Sequence, residues 1–459
     1  MPFSIVTPAL GQGSFPIEAS QSLDIPPSAS RDAEPPWPLA IPSSDAALSP
    51  SAATWASDEF AETVSNGYFA PATSPPTEAV FPSVRLDTDL FRVMLDFQNR
   101  QNDKELALLE HKAAFPYYPV LLIGAQARLS LLAAATNRES KFSYLGRFPP
   151  DFRGRTATDA RIVQANAGLA AHVNPWINLY GELLFSDVFT FPDFKQGSLQ
   201  TRQAYATFGD LNQSSWYAFI GKKNVPFGDM STLSPFSQSV VWHYFGALHE
   251  GLGVGYSGEH MHVVAMGING GRGIRVADSE SRGQLNNFAV NATFLGGGEH
   301  VAWRLGGGFL RGTIYDATIA EHTNPNAFGP YNSAWDVNAQ LNIGRLIVAG
   351  EFVSTVDDWP ATEALVSAYR AETAFDGYFF SRPTRYSVSW SEGIQGPSGS
   401  EFEFNQQLVL GMGIDMGPHA LLSFEYVRSS GFAPLLDITT VSDRGVVQDS
   451  LVMGITVVL

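Results

Sequence analysis

Asp336-Val-Asn-Ala-Gln-Leu-Asn-Ile343, then Gly344-Arg345, then Leu346-Ile-Val-Ala-Gly-Glu-Phe-Val-Ser-Thr355 is the stretch on which the fold turns. In its first half Val337, Ala339, Leu341 and Ile343 alternate with Asp336, Asn338, Gln340 and Asn342. A period of two puts apolar groups on one face of a strand and polar groups on the other. The two-residue break with a glycine returns the chain antiparallel, so the stretch predicts a hairpin.

The same alternation recurs from about Val120 to Leu459. Ile177, Leu179, Leu183 and Phe185 alternate with Asn178, Tyr180 and Glu182. Phe288, Val290, Ala292 and Phe294 alternate with Asn287, Asn291 and Thr293. Phe402, Phe404, Leu408, Leu410, Met412 and Ile414 share the pattern with Glu401, Glu403, Asn405, Gln407 and Asp415. Sixteen such strands can be placed, near 120–135, 160–174, 176–188, 199–208, 216–224, 248–257, 260–270, 286–296, 301–312, 335–343, 346–355, 366–375, 383–392, 402–416, 419–429 and 447–459. Val366–Phe375 also fits helical spacing.

Connection lengths alternate too. Long stretches follow the odd-numbered strands, and mostly tight turns follow the even ones, such as Asn174-Pro175, Gly258-Glu259 and Gly417-Pro418. An even strand count, about ten residues per strand and this asymmetry predict an all-β transmembrane antiparallel β-barrel of about sixteen strands. Closure removes the unpaired edges that a hydrocarbon layer does not tolerate. Leu451, Met453, Ile455, Val457 and Leu459 form an apolar row suited to the closing strand. A soluble β-sandwich also alternates, but its outward face should carry Lys, Glu and Thr, whereas the polar face here holds Asn, Gln, Gly, Glu and Tyr. Aromatics near strand ends (Trp176, Phe185, Trp303, Phe309, Phe352) suit interfacial girdles.

Composition agrees. The 459 residues carry 28 basic and 45 acidic side chains, a net charge of −17, with 42 glycines and no cysteine. The acidic balance argues against nucleic-acid binding. The missing cysteines exclude disulfides, thiolate metal sites and cysteine nucleophiles. Residues 1–84 hold nine acidic residues against Arg31 and are rich in Pro, Ser and Ala, which predicts a disordered tail. Met1–Leu10 lacks a basic segment followed by a long apolar one, so it does not read as a signal peptide. Residues 85–115 differ. Leu86, Leu90, Val93, Met94, Phe97, Leu106, Leu108 and Leu109 approximate helical spacing without Pro or Gly between Asp87 and Lys112. One helix or two short ones, packed on the chain itself or as a short coiled coil, are expected there, with the barrel over 116–459.

Several stretches together resemble the LbtU family of siderophore porins, named for the legiobactin receptor. They are Gln203-Ala-Tyr-Ala-Thr-Phe208, Ser215-Trp216-Tyr217, Gly221-Lys-Lys-Asn-Val-Pro-Phe-Gly228, Gly253-Val-Gly-Tyr256 and Ser423-Phe-Glu-Tyr426, behind a helical stretch. The resemblance covers about residues 86–459. It implies an outer-membrane porin for ferric siderophore uptake. Energised receptors need about 22 strands and a folded plug, and the tail does not read as one, so no plug domain is expected. The alternative is a general porin, or one selective for anions or sugars.

Candidate substrate-binding residues are the basic members of the first outer loop, Arg138, Lys141, Arg147, Arg153 and Arg155, interleaved with Phe142, Tyr144, Phe148 and Phe152. Arginine grips carboxylates bidentately, and a carboxylate-rich ferric chelate would be drawn there. Lipopolysaccharide phosphates would be drawn equally. Lys222 and Lys223 end a strand, and one of them must face the lumen. Parity makes Glu182, Arg304, Glu351, Glu403 and Glu425 pore-lining, either tuning selectivity across the pore or bracing the wall. His243, His249 and Glu250 cluster in sequence without specifying a metal geometry. Gly251-Leu-Gly-Val-Gly255 is not a dinucleotide loop, because no helix follows it. No catalytic constellation and no cofactor are expected. Expected partners are outer-membrane lipid and lipopolysaccharide, a ferric siderophore or other small solute, and sister subunits of a homotrimer, since sixteen-stranded porins commonly trimerise.

Overall fold

The computed structural model describes residues 83–115, 117–139, 154–186, 198–270, 273–298, 300–316, 329–400, 403, 405–433 and 443–459. A short strand β1 (Ser83–Leu86) leads into helices α1 (Thr88–Met94) and α2 (Lys104–Ala113). Sixteen long strands follow: β2 (Val120–Thr136), β3 (Thr156–Asn174), β4 (Ile177–Ser186), β5 (Ser198–Phe208), β6 (Trp216–Asn224), β7 (Leu248–Ser257), β8 (Met261–Asn269) and β9 (Leu285–Gly297) make one half. The other half is β10 (Val301–Leu310), β11 (Ala334–Ile343), β12 (Leu346–Thr355), β13 (Ser367–Phe379), β14 (Arg382–Ile394), β15 (Asn405–Asp415), β16 (Ala420–Ala433) and β17 (Asp443–Val458). Each pairs antiparallel with its neighbour in sequence, and β17 pairs antiparallel with β2, closing the barrel. Leu459 N–H donates to Ala125 O at 2.8 Å and completes the seam. Each of the sixteen expected strands is present, and all of Val366–Phe375 but its first residue lies in strand β13 rather than a helix.

The hairpin Asp336–Thr355 shows why the pattern works. On β11, Trp335, Val337, Ala339, Leu341 and Ile343 point outward and are exposed, while Asp336 and Asn338 point inward and are buried. Exposed Leu and Val on a sheet's outer face would be a liability in water; on a membrane barrel they meet acyl chains. Two aromatic tiers bound this face. Trp335 with Phe352 and Tyr369 with Trp390 lie toward the long-loop end, at ring separations of 5.2 and 5.0 Å. Trp216 with Tyr256 lies at the short-turn end, 5.2 Å apart. On β10, Trp303 and Phe309 mark both tiers, six residues or about 20 Å of strand apart.

Both helices lie inside the barrel. Phe91 of α1 packs so closely on the wall that a Cβ at Gly124 or Gly168 would approach its ring to 2.4 or 2.3 Å. Leu90, Phe91, Met94, Leu95 and Leu108 form one apolar cluster with Val120, Leu122, Ala170, Tyr180 and Tyr205 of the wall. The expectation of a barrel without a plug is therefore corrected: residues 87–115 are a plug. Of the expected tail, residues 1–84, residues 1–82 lie outside the described residues, and Ser83 and Val84 belong to β1.

Candidate functional site

Two inserts enter the lumen, the plug and the third long connection, residues 225–247. This loop leaves β6 at Val225, turns at Gly228 (φ +69°) and ends in a short helix α3 (Val240–Phe245) capped by the Ser239 hydroxyl. Asp229 and His243 are its only acidic or basic side chains, so folding inward desolvates little charge.

Three wall carboxylates hold the loop across the lumen. Glu351 of β12 accepts from the backbone N–H groups of Asp229 (2.8 Å) and Met230 (3.0 Å). Glu372 of β13 accepts from the Thr232 hydroxyl (2.6 Å) and Leu233 N–H (3.0 Å). Glu425 of β16 accepts from Phe236 N–H (2.8 Å) and Ser237 N–H (3.0 Å). Arg370 of β13 pairs with Glu351 at 2.8 Å and also with Glu372 and Asp229, while Arg304 of β10 pairs with Asp229 at 2.7 Å. Charge-assisted bonds of this kind are the strong ones, and here every carboxylate has a cation or several donors.

The plug is tied to both wall and loop. Lys223 of β6 and Glu105 of α2 form an ion pair at 2.8 Å, both essentially without solvent access. Lys223 also donates to Asn102 O (3.2 Å) and lies 4.6 Å over the Phe219 ring. Asn102 donates to Phe227 O and Gly228 O at 2.8 and 2.6 Å. Thr232 N–H donates to Gln98 O at 2.8 Å, and the Arg202 guanidinium lies 4.3 Å over Phe97. At the short-turn end Lys112 donates to Gly209 O (2.7 Å) and to Pro175 O. There Asp87 caps α1, accepting from Leu90 N–H at 2.9 Å, and lies 3.1 Å from His111. The hydrogen bond from His111 holds the Asp87 carboxyl below its usual range, burial acting against it and the Leu90 N–H with it.

The expected site residues fall into three groups. Glu182, Arg304, Glu351 and Glu425 are on the inward face; Arg304, Glu351 and Glu425 bond to the third loop and Glu182 to its neighbours in the wall. Glu182 accepts from Arg202 (3.1 Å) and Gln203 (2.9 Å). Glu403 is corrected: β15 begins only at Asn405, and Glu403 sits in the preceding loop, accepting from the Ser398 hydroxyl and Gly399 N–H. Of the two lysines, Lys223 faces inward, whereas Lys222 lies on the other face, donating to Thr201 O at 3.3 Å. Arg138 and Arg155 flank the first outer loop and are exposed; Lys141, Arg147 and Arg153, with the four interleaved aromatics, lie outside the described residues. His243 is in α3, and His249 and Glu250 open β7.

Arg202, Arg370 and Glu372 were not anticipated. Arg370 and Glu372 share the inward parity of Ala368 and Ala374 on β13, and Tyr369 and Phe375 the outward one, so parity applied to that strand, as to the others, would have found them.

A closed antiparallel barrel with an apolar belt between aromatic tiers and a polar interior belongs to the bacterial outer-membrane class. No family model matches the chain, and no curated protein matches it. Among solved structures, its chain path is similar to OmpF of Salmonella typhi in complex with daunomycin, at 11% identity over 75% of this chain and 100% of that one, TM-score 0.49. It is similar also to an anion-selective porin from Comamonas acidovorans (8%, 74% and 100%, 0.48) and to the outer-membrane channel DcaP of Acinetobacter baumannii (11%, 74% and 97%, 0.46).

Proposed function

We propose that the chain is an outer-membrane channel for a small solute, closed at rest by its plug and its third loop. The observation that carries this reading is the nature of the filling. The inserts meet the wall through apolar clusters and also through buried hydrogen bonds and ion pairs: Lys223, Glu351, Glu372 and Glu425, each bonded to an insert, are all at most 4% exposed. A polar contact of this sort can be replaced by water when the inserts move, so an opened lumen would be a hydrated pore. A filling made only to stabilise the barrel would have no need of these buried ion pairs, which apolar residues of similar volume replace at little cost.

The solute is a ferric siderophore in this proposal. Its support is the resemblance to siderophore porins and the basic residues of the outer mouth, Arg138 and Arg155 among them, which suit a carboxylate-bearing chelate or the phosphates of lipopolysaccharide. Planar-bilayer recording on the full chain tests it. Ferric chelates should block the ion current at lower concentration than phosphate or sugars. Equal block by all three would favour a general or anion-selective porin. Absence of any current would refute the channel itself. Association as a homotrimer belongs to the same proposal and is read from the particle mass in detergent.

A further inference from the structure

A chain of hydrogen bonds crosses from the plug to the barrel wall at the short-turn end. His111 of α2 presents Nε2 to Asp87 Oδ2 at 3.1 Å and Nδ1 to His172 Nε2 at 3.1 Å. His172 of β3 presents Nδ1 to Asn178 Oδ1 at 2.9 Å, and the Asn178 amide donates to the Thr207 hydroxyl at 2.9 Å. His172, Asn178 and Thr207 have essentially no exposure. The Phe115 ring packs on both imidazoles, with centroids 5.3 and 5.7 Å away.

One arrangement of protons satisfies every link. Asn178 Oδ1 can only accept, so His172 carries its proton on Nδ1 and leaves Nε2 bare. His111 must then donate from Nδ1. The Asp87 carboxylate can only accept, so His111 donates from Nε2 as well. The network therefore wants His111 charged and His172 neutral. The other charges facing it are Lys112, next along α2, Asp87 and, in the turn between β5 and β6, Asp210, which acts on Lys112 and Tyr118. Two cations and two carboxylates balance. A proton on the buried His172 adds a third cation and abolishes the acceptor that His111 uses.

We propose that Asp87, His111 and His172 form a proton-operated latch, which acidification opens by setting two imidazolium groups against each other between plug and wall. The inference rests on the plugged-channel reading, but its test does not require transport. Histidine is the side chain that changes charge between pH 5 and 8, so the latch responds to mild acid.

The chain has no cysteine. Ala107→Cys therefore places a single thiol on α2, at a position 6% exposed, and Glu259→Cys in an exposed turn supplies the reference. The ratio of their maleimide labelling rates, taken at each pH on the full chain, reports departure of α2 from the wall independently of the thiol's own titration. The ratio should rise about tenfold, one pKa unit's worth, between pH 7.5 and 5.5. In a His172→Gln background, which keeps a donor and an acceptor but cannot titrate, it should stay flat. A ratio insensitive to pH, or one that rises equally with His172→Gln, would overturn the latch. Hydrogen exchange of the α2 amides in the unsubstituted protein gives the same reading if the thiol at position 107 disturbs folding: faster exchange relative to the strands at pH 5.5, after correction for intrinsic rates, supports the latch, and unchanged exchange overturns it.

Discussion

Lys223→Met should unseat the plug while leaving the barrel intact. Lys223 and Glu105 are 1% and 0% exposed at the side chain and 2.8 Å apart, and no other cation lies in an ion pair with Glu105 among the described residues. Removing the lysine leaves a carboxylate in a site from which water is excluded. Breaking a buried pair from one side costs about 3–5 kcal/mol, and losing the ammonium over the Phe219 ring adds about 0.5–2 kcal/mol. Because only the plug-in state contains the pair, the deficit falls on seating rather than on the barrel ladder. At about 1.4 kcal/mol per factor of ten, the open population grows by roughly three to five orders of magnitude. The assay is labelling of the Ala107→Cys thiol in this background, with heat-modifiable migration confirming that the barrel is folded. Glu105→Leu added to Lys223→Met removes the stranded charge and should restore slow labelling, since an apolar pair of similar volume replaces a buried ion pair at little cost. Unchanged labelling in the single variant, or a double variant as loose as the single one, would refute the reasoning.

Three further outcomes follow from the same contacts. Gly124→Val should expel α1, because even a bare Cβ would lie 2.4 Å from the Phe91 ring; the Ala107→Cys thiol then labels fast at every pH, whereas Gly181→Val, where no heavy atom lies within 4 Å of the built Cβ, should not alter labelling. Glu425→Gln keeps an acceptor but loses the charge that holds Phe236 N–H, Ser237 N–H and the Ser237 hydroxyl; a charge-assisted bond is worth about 1.5–3 kcal/mol, and the third loop should become a site of proteolytic nicking. The Asp87 carboxyl sits below its usual range in the folded state. Its contribution to seating is therefore complete above the unfolded value near 4 and is lost as pH falls through the folded one, so Asp87→Asn should flatten plug stability below about pH 4, measured by tryptophan fluorescence against pH.

The strands were legible because lipid and lumen impose opposite demands on alternate residues, and sixteen repetitions leave little room for another reading. Val366–Phe375 was ambiguous because Ala368, Arg370, Glu372 and Ala374 put small and charged groups on the inward face, and such a face mimics a solvated helix. The plug was not legible for a related reason. Lys104, Glu105 and Lys112 read as the wet side of an amphipathic helix, yet all three are buried, satisfied by backbone carbonyls and by Lys223 in place of water. Parity puts Glu351 and Glu425 on the inward face, where both bond to the third loop. Their task of holding the third loop depends on where that loop goes, and alternation along a strand does not encode that. A signal was present all the same: residues 225–247 hold Val225, Phe227, Met230, Phe236, Val240, Val241, Tyr244 and Phe245 with Asp229 as their sole carboxylate, a composition ill suited to a solvated loop. Glu403 was misplaced because the alternation read in the sequence begins ahead of Asn405, where β15 starts.

The central claim is that solute passes only when the plug leaves. Phe91→Cys with Gly124→Cys would fasten α1 to β2, since the Cβ built at Gly124 lies 2.6 Å from that of Phe91 and a disulfide requires the two positions to part by only about 1 Å. Planar-bilayer current is then compared for the unsubstituted chain, the oxidised variant and the variant after reductant. The account predicts openings in the first, silence in the second and recovery in the third; an oxidised variant that conducts like the unsubstituted chain would contradict it.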